Sequence, residues 1–239
     1  MPNLKLTIEF DGTNYAGWQY QPRNPTVQGE LESAAGKVLQ QKVTIYGCGR
    51  TDAGVSARAY VANLHTCSPL GVERLKLALN HFLPDDILVL SIEEATPGFH
   101  ARHGALGKTY AYRIVRSRSP LRRRHVWEFW FKLDVEKMRK AAALFVGRKD
   151  FQPFCQTRDA DGFCTVESVL VETDGDEVTV TVRGDRFLYK MVRRIVGALV
   201  ACGSGRLTQK DIRAALAGRP FPPFQTAPAR GLLLDSVEY

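Results

Sequence analysis

Among its five cysteines and five histidines the sequence contains no C-x-x-C pair and no H-x-x-x-H pair. The cysteines (Cys48, Cys67, Cys155, Cys164, Cys202) are odd in number and scattered, which argues against zinc frameworks and a disulfide scaffold alike. Free, buried thiols and no metal are therefore expected. No apolar run is long enough to span a bilayer, and the opening MPNLKLTIEF lacks the features of a secretory signal. A cytoplasmic protein with no membrane partner follows as the expectation. An RNP1-like segment of an RNA-recognition module is also missing.

Positive charge, by contrast, is in excess. Thirty-three Lys and Arg against 25 Asp and Glu give a net charge of +8. Such an excess suits a polyanionic partner, whose neutralised phosphates release counterions, and it suits plain solubility equally well. The 239 residues suffice for one large domain or two small lobes.

Hydrophobic periodicity orders the chain. LKLTIEF (4–10) alternates as a half-buried strand, and Thr26 is placed to cap a helix carrying Val27, Leu31, Ala34, Ala35, Val38 and Leu39 at helical spacing. Strands at 43–47 and 57–66, a helix at 72–82 and a strand at 87–95 complete a β-α-β-β-α-β order. The second half repeats it. A strand at 109–117 and a helix at 134–146 precede a hairpin of CTVESVLVE and EVTVTVRG turned by TDGD. Helices at 187–202 and 208–217 and the closing strand LLLDSVEY follow, with inserts at 118–133 and 147–163. The expected fold is α+β, with two ferredoxin-like (βαββαβ) lobes spanning 1–105 and 106–239. They would form a largely antiparallel mixed sheet with helices on one face and an active-site cleft between the lobes.

The stretch GCGRTDAGVSAR (47–58) concentrates three glycines around Arg50 and Asp52. In extended backbone these two side chains leave the same face, and a guanidinium beside a carboxylate favours its ionised form. A fixed, ionised aspartate can act as nucleophile or general base. An ordinary turn with a solvent-facing arginine fits the same residues. A phosphate-binding P-loop does not, because a strand follows this loop and it lacks the G-K-[ST] ending. A glycosidase would need a second placed carboxylate, and nothing in the spacing pairs Asp11 or Asp86 with Asp52.

GRTDAGV (49–55) is similar to the signature of the tRNA pseudouridine synthase A family. FDGTNYAGWQ (10–19), TVQGELE (26–32), FHAR (99–102), KTYAYRI (108–114), MVRRIVG (191–197) and TAPARGLLL (226–234) resemble further family blocks, in order and across essentially the whole chain. One departure is Ser56, where family members commonly carry histidine. The resemblance implies an isomerase that converts uridines 38, 39 and 40 in the anticodon stem-loop of tRNA. It implies no cofactor and a homodimer, with Asp52 as the essential nucleophile attacking sugar or base.

The same resemblance implies roles for other residues. Tyr110 would stack on the flipped uracil and assist removal of the carbon 5 proton, whereas Tyr112 stays in the core. Arg193 would pair with Asp52, and Leu232 would wall the uracil pocket. From its position beside Asp52, Arg50 is expected to enter the RNA helix in place of the extruded base. Arg58, Lys190 and Arg194 complete the expected substrate-binding set. Lys190, Arg193 and Arg194 at i, i+3 and i+4 would form one cationic stripe on a helix. RIVRSRSPLRRRH (113–125) is the strongest basic run, and with a tRNA substrate some of its arginines are expected on the RNA backbone. Tyr15 and Trp18 fit either RNA stacking or pinning of their own loop. The rivals from other classes are a non-catalytic RNA-binding module and a tRNA-folding chaperone.

Overall fold

The computed structural model describes all residues, 1–239. In chain order the strands and helices are β1 (Asn3–Phe10), α1 (Val27–Leu39), β2 (Tyr46–Gly47), β3 (Ser56–His65), α2 (Val72–Phe82), β4 (Ile87–Ala95) and β5 (Gly107–Val115). They continue with β6 (Trp127–Glu128), α3 (Val135–Ala142), β7 (Gly147–Asp150), β8 (Phe163–Asp174), β9 (Glu177–Gly184), α4 (Met191–Gly203), α5 (Gln209–Leu216) and β10 (Leu232–Glu238). This is the expected α+β class. Strand pairing is largely antiparallel, with β3–β10 and β5–β6 the parallel exceptions described here. The chain forms two compact units, residues 1–106 with 233–239, and residues 107–232. No helix is long and apolar enough to cross a membrane.

In the first unit β1 lies antiparallel between β3 and β4. Its alternation sends Leu4, Leu6, Ile8 and Phe10 into the core. The other edge of β3 is shared. β2 pairs at Tyr46↔Asn63 and Gly47↔Ala62, and β10 pairs in parallel at Leu233↔Ser56 and Leu234↔Ala57. α1 begins at Thr26, whose hydroxyl accepts from the backbone N–H of Gly29, and α2 packs on β4 beside α1. VTIYG forms only the two-residue β2. Ile45 is buried, but its N–H donates to Glu32 (3.0 Å) and its carbonyl accepts from Gln28 (3.1 Å). Helix side chains satisfy this backbone instead of a strand partner.

In the second unit the strand order is β7-β8-β9-β5-β6. The β8–β9 ladder runs to Asp174↔Glu177, so Gly175 and Asp176 make a two-residue turn, with Gly175 at φ +56°. α3 packs against α4 and β8, and its last expected residues wind into a 3-10 turn at Ala143–Phe145. α4 starts at Met191 instead of 187, because Lys190 adopts a left-handed conformation (φ +60°) that no α-helix continues. Lys190 is the cap, so the expected helical stripe with Arg193 and Arg194 does not form. Cys48, Cys155, Cys164 and Cys202 are buried free thiols, but Cys67 is exposed, contrary to the expectation for it.

Candidate active site

The loop joining β2 to β3 carries Asp52, and its glycines let a second loop press against it. Built onto Gly12, a Cβ would lie 2.0 Å from the carbonyl oxygen of Val55. On Gly17, already at φ +100°, it would lie 2.3 Å from the carbonyl oxygen of Thr51. Only residues without a side chain permit backbones to meet at this distance. Hydrogen bonds close the junction. Trp18 N–H donates to Thr51 (3.3 Å), Gly54 N–H donates to Tyr15 (3.3 Å), and Val55 N–H closes the turn onto Asp52 (3.2 Å). Asp52 is half-buried and Arg50 exposed. The Thr51 hydroxyl between them is buried without a hydrogen-bond partner.

Two aromatic residues anchor this platform. The ring of Trp18 stacks on Tyr60 at 4.0 Å, and the Tyr60 hydroxyl donates to the carbonyl of Gly49. Gly47 is required beneath them, since a Cβ there would stand 2.1 Å from the Tyr60 hydroxyl. The Tyr15 hydroxyl donates to Asp86, which also accepts from Asn14 (3.2 Å), while Asp86 O accepts from Asp11 N–H (2.9 Å). Burial, then Asp86, raises the Tyr15 pKa well above the ordinary phenol value, so it remains a donor. Tyr15 and Trp18 thus pin the loop, which decides between the two readings the sequence left open.

Ser56, where the resemblance leads to an expectation of histidine, is the remaining tie. Its Oγ accepts from Gly12 N–H (3.0 Å) and donates to Asp11 (3.4 Å). Asp11 in turn caps the short 3-10 turn that follows it, accepting from Thr13 N–H. Asp86, Tyr15 and Ser56 in these supporting roles were not legible in the sequence. The Tyr15–Asp86 contact spans 71 positions, and no short motif records it. Arg58, exposed on β3, is ion-paired with Asp235 of β10 at 2.6 Å.

The second unit holds the other expected residues. Tyr110 on β5 is half-buried, with its ring edge-on to Phe187 at 5.3 Å. Two positions on, Tyr112 is fully buried and donates to the carbonyl of Pro228 (2.7 Å), a core residue as expected. Arg193 and Ala227 bond reciprocally: Arg193 Nε donates to Ala227 O (2.8 Å), and Ala227 N–H donates to Arg193 O (3.1 Å). Gly197 lets the same segment lie on α4, because a Cβ there would be 2.1 Å from the carbonyl oxygen of Gln225. Arg194 turns inward. It donates to Pro153 O (3.2 Å) and sits 5.1 Å over the ring of Phe224, with its Nε buried and unbonded. Burial lowers its pKa. Lys190 lies 5.0 Å from the Tyr189 ring, and Leu232 is buried at the start of β10. No three His, Cys, Asp or Glu side chains are grouped to hold a metal ion.

A family model described as tRNA pseudouridine synthase matches residues 6–103 and 141–239. A protein of Clostridium perfringens named tRNA pseudouridine synthase A 2 is 41% identical over 244 residues, spanning all of both chains. The tRNA pseudouridine synthase A of Moorella thermoacetica is 44% identical over 246 residues, again across both chains in full. That of Myxococcus xanthus is 42% identical over all of this chain and 92% of its own. Likeness to solved structures is weak. A chain from the archaeal box H/ACA sRNP Nop10-Cbf5 complex reaches a TM-score of 0.38 at 13% identity, over 82% of this chain and 43% of its own.

Proposed function

The chain belongs to the tRNA pseudouridine synthase family, an isomerase family, and from that premise we propose that it isomerises uridines in the anticodon stem-loop of tRNA with Asp52 as nucleophile. The observation that carries this reading is the rigid seat of the Asp52 loop, wedged against Gly12 and Gly17 with no room for side chains. A loop backbone fixed in position confines the carboxylate it carries, which favours nucleophilic catalysis because less orientation is left to settle when the substrate arrives.

The reaction breaks the bond from N1 of uracil to C1′ of the ribose. The base turns, C5 bonds to C1′, the C5 proton leaves to solvent and N1 takes up a proton. Atoms and electrons balance without a redox partner. The uridine must first leave its stack at a cost of a few kcal/mol. In this proposal Arg50, exposed two residues before Asp52, occupies the vacated place in the RNA. Tyr110 stacks on the uracil, Arg193 supplies positive charge to the reacting carboxylate, and Leu232 contributes an apolar wall. The enzyme acts in the cytoplasm as a homodimer. Sedimentation at twice the 26.7 kDa chain mass agrees with the dimer, and a monomer contradicts it.

Release of tritium from tRNA labelled at carbon 5 of uridine tests the catalytic reading. Wild-type protein releases tritium. Asp52→Asn loses the reaction by at least about a thousandfold while still binding tRNA, as expected when a nucleophile is removed. Undiminished release by Asp52→Asn would overturn the assignment.

A further inference from the structure

The basic run from Arg113 to Arg124 contains six arginines, and the fold sorts them into two groups of three. Arg113 forks onto Glu177 at 2.6 and 2.9 Å. Arg122 reaches Asp176 through both terminal nitrogens at 3.2 and 2.9 Å and lies 3.6 Å from Glu177. Arg116 donates to the carbonyl of Gly175 at 2.6 Å. Arg113 and Arg122 neutralise the carboxylates of Glu177 and Asp176 at the β8–β9 turn, and Arg116, itself exposed and without an ion pair, is held to that turn through the Gly175 carbonyl.

Arg118, Arg123 and Arg124 are exposed and make no ion pair. They project from a folded segment. Arg122 N–H and Arg123 N–H both donate to Ser119 O (3.1 and 2.9 Å), and His125 N–H donates to Arg122 O (2.9 Å). Ser119 N–H donates to Glu128 (2.9 Å), which fixes the segment to β6 and occupies the nearby carboxylate. Three cations on an ordered backbone cost less to immobilise against a partner than three on a mobile one. A guanidinium fork also matches a phosphate group better than an ammonium does.

We propose that Arg118, Arg123 and Arg124 form a docking surface for the sugar–phosphate backbone of the tRNA. The contact is independent of sequence, whereas Arg113, Arg116 and Arg122 serve the fold. The proposal rests on the functional reading above in taking tRNA as the partner.

The test is the salt dependence of binding to an unmodified tRNA transcript, measured by fluorescence anisotropy over a KCl series. Replacing all three by glutamine (Arg118→Gln, Arg123→Gln, Arg124→Gln) should weaken binding and flatten the log–log slope by about 2 to 3 units, close to one per lost phosphate contact. The deficit falls on KM for tRNA more than on turnover at saturating tRNA. The triple lysine variant keeps the slope. A control with the same loss of charge on other exposed residues (Lys42→Gln, Arg74→Gln, Lys210→Gln) flattens it by less than about one unit. An unchanged slope in the loop variant overturns the proposal, as does an equal loss in the control. Asp52→Asn binds with the wild-type slope, so a failure of the catalytic reading appears in tritium release and a failure of the docking surface appears in the slope.

Discussion

At Gly12 and Ser56 two loops remote in sequence are joined atom to atom, so small changes there should act on catalysis through position. Gly12→Ala forces a methyl group against the carbonyl of Val55 and should cost about 1–3 kcal/mol, read by urea unfolding. Turnover should fall more than the apparent affinity for tRNA, because the Asp52 loop shifts while phosphate contacts persist. Ser56→Ala leaves Gly12 N–H without its acceptor, a loss of about 1–3 kcal/mol, and Ser56→Thr, which retains the oxygen, should restore most of it. If Ser56→Ala melts and turns over like wild type, the junction does not depend on that bond. The sequence shows the aspartate and its glycines plainly, since adjacent residues form one motif. It hides their support, because Tyr15, Asp86 and Ser56 meet Asp11, Gly12 and Gly54 only after folding.

Among the elements, α2, β4 and β9 coincide with the segments read from periodicity, each bounded by a clear turn or cap. β2 and the start of α4 do not. In the first case side chains of α1 take over the backbone bonds of Ile45, and in the second a lysine adopts a left-handed conformation that sequence pattern assigns to glycine or asparagine. The β8–β9 turn offers a test at this scale. Hydrogen bonds from Arg122 and then Ser117 hold the Asp176 carboxyl at about 2, below its ordinary 3.8. A depressed carboxylate contributes its ion pair in full above the ordinary value and loses it as pH falls through the depressed one. The clasp should therefore open between about pH 4 and pH 2. A carbon-detected NMR titration of Asp176 should show a midpoint near 2. In Arg122→Gln the midpoint should rise toward 3.8, and a midpoint already there in wild type would contradict the clasp.

Across the whole molecule, thiol chemistry reports packing. Burial pushes Cys164 and Cys202 up to about 11, and Cys48 and Cys155 are buried as well, leaving Cys67 at the surface. A thiol-reactive disulfide reagent at neutral pH should modify Cys67 alone in the native protein and all five cysteines after denaturation. Rapid loss of a second thiol would mean that one of the cores opens readily.

The order of synthesis adds a constraint at the same scale. β3 completes its edge with residues 233 and 234, and Glu238 and Tyr239 bond back to Leu106 and Ala101. The body that carries the proposed nucleophile therefore cannot finish closing on the ribosome when its first 106 residues emerge. It must wait, one sheet edge open, until the intervening 107–232 have been translated and the last strand arrives.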